Sequence, residues 1–368
     1  MEKKKDFMVK KLEIYNYYKN KKVLLTGHTG FKGSWLTIWL LSLGCKIVGV
    51  SKDIPTNPSN FKDLNIKRKI KHYTCEVENF DKIKKIIIKE KPEIIFHLAA
   101  QSLVSESFNN PLKTVSTNTL GSLNVIHAAS FLKKKCLCIM VTSDKCYLNL
   151  EKNIGYTEKS QLGGEDLYSG SKACAEIILR SYFLSKASKN KKLKFCTVRA
   201  GNVVGGGDWS KNRLIPDLMK AWKKNKKVII KNPNSIRPWQ HVLEPIFGYL
   251  KLVFYLNSNE SLNGQSFNFG PDSKRSFTVL QLVREIQKKW GKKNSYKVKS
   301  ASSFNETKIL KLNSSKAYKK LKWKSVLKLD EIAEKISAWY KSQIYKKQDL
   351  YDVTMEQIKS YEKKCFFE

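Results

Sequence analysis

Acidic side chains are scarce in this sequence. Against 70 Lys and Arg stand 32 Asp and Glu, a formal charge of +38 over 368 residues. An excess of that size raises nucleic acid or an anionic membrane as a partner. Arginine is scarce as well: 7 of the basic residues are Arg and 63 are Lys, scattered from Lys3 to Lys364. A nucleic-acid reader gathers its charge into a patch and uses arginine for bidentate contacts with bases and phosphates. Scattered lysine therefore reads as surface composition, and no specific nucleic-acid partner is expected. Long apolar runs are also lacking. None nears the about 20 residues of a membrane-spanning helix, and the first residues hold no signal-peptide core. The 8 cysteines include no CxxC pair and no His at metal-ligand spacing, so no metal is expected and a reducing compartment is the simplest setting. A soluble, cytoplasmic protein is expected.

What is present is a core and a rhythm. Hydrophobic residues make up 41% of the chain, and its length predicts roughly two domains. From residue 21 short apolar runs alternate with helical patterns. Lys22–Leu25, Lys46–Val50, Tyr73–Val77, Glu93–Leu98 and Cys138–Thr142 read as strands. Gly33–Leu43, Phe80–Glu90, Leu112–Lys133 and a segment over 167–185 read as helices. Such βαβ alternation predicts a doubly wound, Rossmann-like parallel sheet. Beyond Arg199 the pattern loosens into Gly, Asn, Pro and Trp clusters, which suit the walls of a ligand site. The expected division is a dinucleotide-binding domain over 21–200 carrying the catalytic residues, and a smaller, mostly C-terminal substrate-binding lobe over 201–345. Charged extensions over 1–20 and 346–368 complete the chain.

Thr26-Gly27-His28-Thr29-Gly30-Phe31-Lys32-Gly33 follows the first strand and opens the first helix. One glycine suits the tight turn, one lets backbone N–H groups approach a pyrophosphate, and one allows close helix–sheet packing. The acidic residue that would bind a ribose at the end of the second strand is replaced by Ser51-Lys52-Asp53. Ser51 or Asp53 can serve NAD, while Lys52 tolerates a 2′-phosphate, so NADP stays open. The small residues in Leu98-Ala99-Ala100-Gln101 permit close passage of a cofactor, and His97 is expected to be packed.

Thr142-Ser143-Asp144-Lys145 ends the fifth strand, where open α/β sheets bind ligands. Tyr168 and Lys172 share one helix face at i,i+4 spacing. An ammonium beside a phenol stabilises the phenolate, which can then take a hydroxyl proton while Ser143 polarises the same oxygen.

These residues carry a family resemblance. The chain from about 21 to 335 resembles the extended short-chain dehydrogenase/reductases, through TGHTGFKG at 26–33, HLAAQ at 97–101, and Ser143 with Tyr168 and Lys172. Ser143-Asp144-Lys145 looks like the acid–base tripeptide of the nucleotide-sugar 4,6-dehydratases, which reads Thr-Asp-Glu in the members acting on dTDP-glucose. Lysine in third place, with GHTGFKGSWL at 27–36, RAGNVVGGGDW at 199–209, RLIPD at 213–217 and RPWQHVLEP at 237–245, is similar to the CDP-glucose branch.

The resemblance implies an NAD-dependent hydro-lyase working on a nucleotide sugar. Gly27, Thr29, Gly30, Phe31, Lys32, Gly33, Leu98, Ala99 and Ala100, with Tyr168 and Lys172, would bind the cofactor. Tyr168 would deprotonate the sugar O4 and Asp144, its pKa raised by burial, would protonate O6. Lys145 would take the C5 proton or steady the enolate. Gln101, Asn202, Arg213, Arg237, Gln240 and His241 are the substrate-binding candidates. Three of the seven arginines fall at 199, 213 and 237, where bidentate diphosphate contacts are wanted; Arg199 can instead be an ion-pair partner. Asp208-Trp209 and Trp239 can cover a base or sugar, or simply pack. The alternative is another nucleotide-sugar 4,6-dehydratase or an epimerase acting on a dTDP- or GDP-sugar. Relatives of this kind pair through their helices near 112–133 and 167–185, so a homodimer is expected, with deoxysugar synthesis for surface polysaccharide downstream. The chain departs from the family at Glu76-Val77-Glu78, beside the adenine, and at Ser105-Glu106.

Overall fold

The computed structural model describes residues 12–272, 276–292, 295–298 and 308–367. Its centre is a parallel sheet whose strands alternate side chains between two buried faces. Val23 and Leu25 of strand β1 (Lys22–Thr26) join one apolar cluster while Leu24 joins the other, as a period of two requires. Further strands are β2 (Lys46–Ser51), β3 (Lys71–Thr74), β4 (Ile94–His97), β5 (Cys136–Val141), β6 (Leu193–Ala200) and β7 (Ser266–Phe269). The 7 strands lie in the order β7-β6-β5-β4-β1-β2-β3, every pair parallel. Helices cover both faces, so β5 and β6 are buried along their whole length. The expected doubly wound, Rossmann-like sheet is present, and its strand order reverses between β1 and β4, the place where such sheets open a ligand crevice.

The helices follow local rules. Helix α1 (Phe31–Ser42) is buried at every position from Gly33 to Leu40, as befits a helix apolar on all sides. Helix α2 (Phe80–Glu90) matches the expected range. Asn79 caps it by accepting from the Lys82 amide at 3.0 Å, Ile83 and Ile87 face the core, and Lys91 ends it in a left-handed turn.

Two expectations are corrected. The single helix read over 112–133 is a run from Pro111 to Ala129 interrupted by a wide π-type turn at Ser116–Leu120. Its last helical segment is α3 (Gly121–Ala129). The third strand stops at Thr74 rather than Val77.

Residues 1–11 of the N-terminal extension, and Glu368 of the C-terminal one, lie outside the described residues. The described parts of both are woven into the core. Tyr18 is fully buried and its hydroxyl donates to the Leu250 carbonyl at 2.8 Å. The helix over Leu350–Phe367 buries Val353, Ile358, Tyr361 and Phe366. Its charged face hid that helical spacing. Trp39 Nε1 donates to Glu362 at 2.8 Å, and the Tyr361 hydroxyl donates to buried Glu244 at 2.7 Å. Glu244 also accepts from the Val326 and Leu327 amides at 3.0 and 2.8 Å, so one carboxylate ties three segments together. Among the described residues no helix is long and apolar enough to cross a membrane.

Tyr361→Phe keeps the packing and removes one of those bonds. A loss of about 1–3 kcal/mol is expected, read as a lower urea midpoint with an unchanged denaturant slope.

Candidate active site

At the carboxyl end of β1 the chain turns through Gly27 in a left-handed conformation, φ 73°. A Cβ there would stand 2.7 Å from the Ala99 amide nitrogen, and one at Gly33 would stand 2.2 Å from the Gly27 carbonyl oxygen. Only glycine lets the two loops and α1 approach this closely. Gly30 begins α1 with no side-chain cap, which leaves the first-turn N–H groups facing the crevice. This cradle, narrow enough that side chains would fill it, fits the pyrophosphate of a dinucleotide.

Thr26 holds the loops together. Its hydroxyl lies 2.7 Å from His97 Nδ1 and accepts from the Ala99 amide at 3.2 Å. His97 Nε2 lies 3.1 Å from Ser122 Oγ, and burial brings its pKa down to about 3, so it is a packed histidine. At the end of β2, Ser51 Oγ lies 3.0 Å from His28 Nδ1 and accepts from the Thr29 amide at 3.4 Å. Thr29 Oγ1 donates to the Asp53 carbonyl at 2.7 Å, while the Asp53 carboxylate is exposed, 3.8 Å from Lys52.

The reactive groups gather at the ends of β5 and of helix α4 (Leu167–Ser185), which Asp166 caps by accepting from the Ser169 amide at 2.9 Å. Ser143 caps the short turn Asp144–Cys146. Its Oγ accepts from the Lys145 amide at 3.2 Å and donates to Asp144 Oδ1 at 3.0 Å. Burial pushes the Asp144 carboxyl up to about 6, against the pull of Lys145, Ser143, Arg237 and Lys32. Its Oδ2 is buried with no hydrogen-bond partner. Burial also raises Tyr168, while Ser143 and Arg213 draw it back. Lys172 Nζ lies 3.5 Å from the Val141 carbonyl, and burial brings its ammonium down to about 8. Lys32 is brought down to about 8 by burial, with Lys172 and Arg213 acting the same way and Asp144 opposing. Its Nζ meets Tyr249 Oη at 3.5 Å.

The substrate candidates divide. Arg213 reaches across the cleft mouth: Nη1 donates to Asp208 at 3.1 Å, and Nη2 to the carbonyl and hydroxyl of Ser102 at 3.2 and 3.3 Å. Arg237 is buried, donating to the Ile236 and Lys308 carbonyls at 3.0 and 3.3 Å, and its charge acts on Asp144. Asn202 is half-buried, its carbonyl accepting from the Gln240 amide at 3.1 Å. The Gln101 side chain is engaged in its own loop, with Leu103 and Thr114. Gln240 and His241, expected beside the nucleotide, each keep one buried side-chain atom, Oε1 and Nε2, without a hydrogen-bond partner. Both are fully buried, on a two-residue strand paired with Val203–Val204. Gln240 donates to the Phe269 carbonyl at 2.7 Å and His241 packs edge-on to Trp35. Trp209 and Trp239 are buried, Trp209 against Tyr340, and Arg199 is ion-paired with Glu176.

Sequence reasoning missed Asn118 and Thr119. In the π-type turn Asn118 Oδ1 accepts from the Gln101 amide at 2.9 Å, and its Nδ2 donates to Ser171 Oγ at 2.9 Å. Thr119 Oγ1 donates to the Ser171 carbonyl at 3.0 Å. The turn thus ties the crevice loop to the Tyr168 helix, as such bulges often do at functional sites. A polar Ser-Thr-Asn-Thr run inside an otherwise apolar helix was the available signal. The departures Glu76 and Glu78 have a local explanation, since Lys113 bridges both at 3.0 Å.

The chain is similar to known proteins over most of its length. Residues 24–336 match the GDP-mannose 4,6 dehydratase family. The CDP-glucose 4,6-dehydratase of Salmonella typhimurium is 38% identical over 350 residues, 94% of this chain and 97% of that one. The chain belongs to this dehydratase family. Among solved structures, DesIV, a dTDP-glucose 4,6-dehydratase from Streptomyces venezuelae with NAD and TYD bound, superposes with a TM-score of 0.76 at 17% identity, covering 89% of this chain and 99% of that one. The UDP-glucose 4-epimerase of Thermotoga maritima, with UDP-glucose, gives 0.76 at 20% identity over 88% and 99%. Both likenesses establish the fold of this family member.

The buried carboxyl of Asp144 makes a prediction about stability. Its folded pKa, about 6, exceeds the ordinary value of 3.8, so the fold holds this proton more tightly than the unfolded chain does. The stability it contributes is present at low pH and is lost as pH rises through about 6, a cost of about 3 kcal/mol once ionised. Asp144→Asn is therefore expected to be more stable than wild type at pH 7–8, with the difference vanishing near pH 4. Thermal melts across that range check it.

Proposed function

We propose that this chain is a CDP-glucose 4,6-dehydratase working with NAD, which converts CDP-D-glucose to CDP-4-keto-6-deoxy-D-glucose and water. One observation carries the reading: an acid with an unpartnered buried oxygen, Asp144, stands beside Ser143 and Lys145 at the strand end facing Tyr168. An epimerase needs no acid for O6. The 38% identity to the Salmonella typhimurium enzyme over nearly both whole chains supports CDP-glucose over a dTDP- or GDP-sugar.

Gly27, Thr29, Gly30, Phe31, Lys32, Gly33 and the loop Leu98-Ala99-Ala100 hold the dinucleotide, with Lys172 and Tyr168 toward its reactive end. NAD, when bound, supplies a hydride acceptor for the sugar C4 and a donor for C6. The protein moves the protons. Tyr168 takes the O4 proton while Ser143 holds the same oxygen, and Arg213 steadies the phenolate. The new C4 carbonyl acidifies C5–H. Asp144 protonates O6, which leaves as water, while Lys145 takes the C5 proton or steadies the enolate, and a proton returns to C5 as hydride reaches C6. Arg213 and Arg237 suit the diphosphate, Arg213 by exchanging Asp208 for phosphate oxygens. With Ser51 committed to His28 and Asp53 turned outward, the second-strand end offers no buried carboxylate against a 2′-phosphate, so the enzyme is read as NAD-using with NADP tolerated. The catalytic groups belong to 21–200 and the substrate walls mostly to 201–345.

The active unit is a homodimer in the cytoplasm, feeding deoxysugar synthesis for surface polysaccharide. Leu112 is 85% exposed, and Phe108, Leu120, Ile177 and Leu184 are exposed with it on the run from Val104 to Ala129 and on α4. A monomer rarely leaves such apolar surface uncovered.

Incubated with CDP-glucose, dTDP-glucose and GDP-mannose, the purified protein is expected to remove one water from CDP-glucose, read by mass spectrometry; no product from CDP-glucose overturns the assignment. Tyr168→Phe should abolish nicotinamide reduction, whereas Asp144→Asn should keep it and stall before water loss. Sedimentation should show a dimer that Ile177→Glu dissociates.

A further inference from the structure

Ser143 and Lys172 stand on different elements, one at the end of β5 and the other on α4, and a buried cluster behind them sets their separation. Glu176 lies one turn beyond Lys172, so Tyr168, Lys172 and Glu176 share a helix face at i, i+4 and i+8. One Glu176 oxygen accepts from Thr142 Oγ1 at 2.5 Å and from Arg199 Nε at 2.9 Å. The other accepts from Thr197 Oγ1 at 2.8 Å, Arg199 Nη2 at 2.9 Å and Ser266 Oγ at 3.3 Å. Arg199 Nη1 donates to Tyr147 Oη at 2.7 Å, and that hydroxyl donates to Asn268 Oδ1 at 2.7 Å. The cluster therefore grips the chain on both sides of Ser143-Asp144-Lys145, at Thr142 and at Tyr147. It also spans β5, β6, β7 and α4.

The pair is almost dry, with the Arg199 and Glu176 side chains 4% and 2% exposed. Ion pairs this deep seldom add net stability over apolar residues of the same size, so stability does not account for it. Its placement between the two halves of the reactive set does. We propose that Glu176 is a positioning residue: its carboxylate holds Thr142, and with it Ser143, against the helix that carries Tyr168 and Lys172, and sets a negative charge one turn behind Lys172.

The charge matters because of what else faces Lys172. Cys146, from the turn after β5, is a thiol that burial holds far above its ordinary pKa, hence neutral. His97, from β4, is neutral as well, and Lys32, from α1, carries the same sign. Glu176, kept ionised against burial by Arg199 and the two threonines, is the anion among these four groups. Burial alone favours the neutral amine, and Glu176 opposes it.

Two variants separate position from charge in the holoenzyme. Thr142→Val keeps the charge and loses the bond. It should lower kcat about tenfold with KM within about twofold, and leave the basic limb of the pH profile in place. Glu176→Gln should lower kcat at least as far and move the basic limb to lower pH, with Glu176→Asp moving it back. In the protein without substrate, carbon-13 spectra of labelled lysine, with Lys172 assigned by its loss in Lys172→Met, should show the Lys172 titration shifted to lower pH by Glu176→Gln. Wild-type kcat in Thr142→Val overturns the positioning role, including where Glu176→Gln fails to fold. An unshifted Lys172 titration in folded Glu176→Gln overturns the charge role. The kinetic arm rests on the dehydratase reading. A wild type inactive on all three nucleotide sugars overturns that reading while the spectra still decide the charge role. A wild type active on CDP-glucose, with both variants matching it, overturns this inference alone.

Discussion

The pairing of β1 with β4, in the register Thr26 opposite His97, is the constraint on which the rest of the molecule depends. Strand order reverses there, so the connections on either side lead to opposite faces and a crevice opens at the carboxyl ends. Two loops must then pass within contact of each other. Gly27 allows it by having no Cβ and by taking a left-handed conformation, and Thr26 locks it by binding both His97 and the Ala99 amide. From that point α1 starts with its N–H groups toward the crevice. On the other side β5 and β6 deliver Thr142 and Arg199 to the cluster that fixes Ser143.

Charge is treated differently at the surface and in the cleft. Most of the +38 is lysine scattered along the chain, which gives a general attraction for anions. Inside, a few ionisable groups are displaced from their ordinary behaviour by burial: Asp144 up to about 6, Lys172 and Lys32 down to about 8. An acid made weaker beside bases made weaker is what proton transfer near neutral pH requires. The fold gives up stability for it at Asp144, a trade common at catalytic centres.

Much of the fold was legible because its signals are local. The alternation of apolar runs and helical patterns located five of the seven strands to within a few residues, missing β6 and β7, and the helical pattern over Phe80–Glu90 matched α2. What failed was what depends on distant partners. The π-type turn at Ser116–Leu120 forms because Asn118 and Thr119 are drawn to Gln101 and Ser171, contacts that helical periodicity does not encode. The last helix looked like a charged tail because its lysines and glutamates outnumber the residues that reach Trp39 and Glu244. Gln240 and His241 are buried by strand pairing with Val203–Val204, a placement that their motif does not encode.

By itself the sequence determined the doubly wound architecture, the glycine cradle and the types of reactive group, because periodicity, backbone freedom and side-chain chemistry are properties of short segments. The tertiary structure alone decided how those groups behave. Burial, which no short segment contains, set the proton affinities of Asp144, Lys172 and Lys32. The meeting of β5, β6, β7 and α4 around Glu176 made a shared framework out of residues up to 124 positions apart, Thr142 to Ser266.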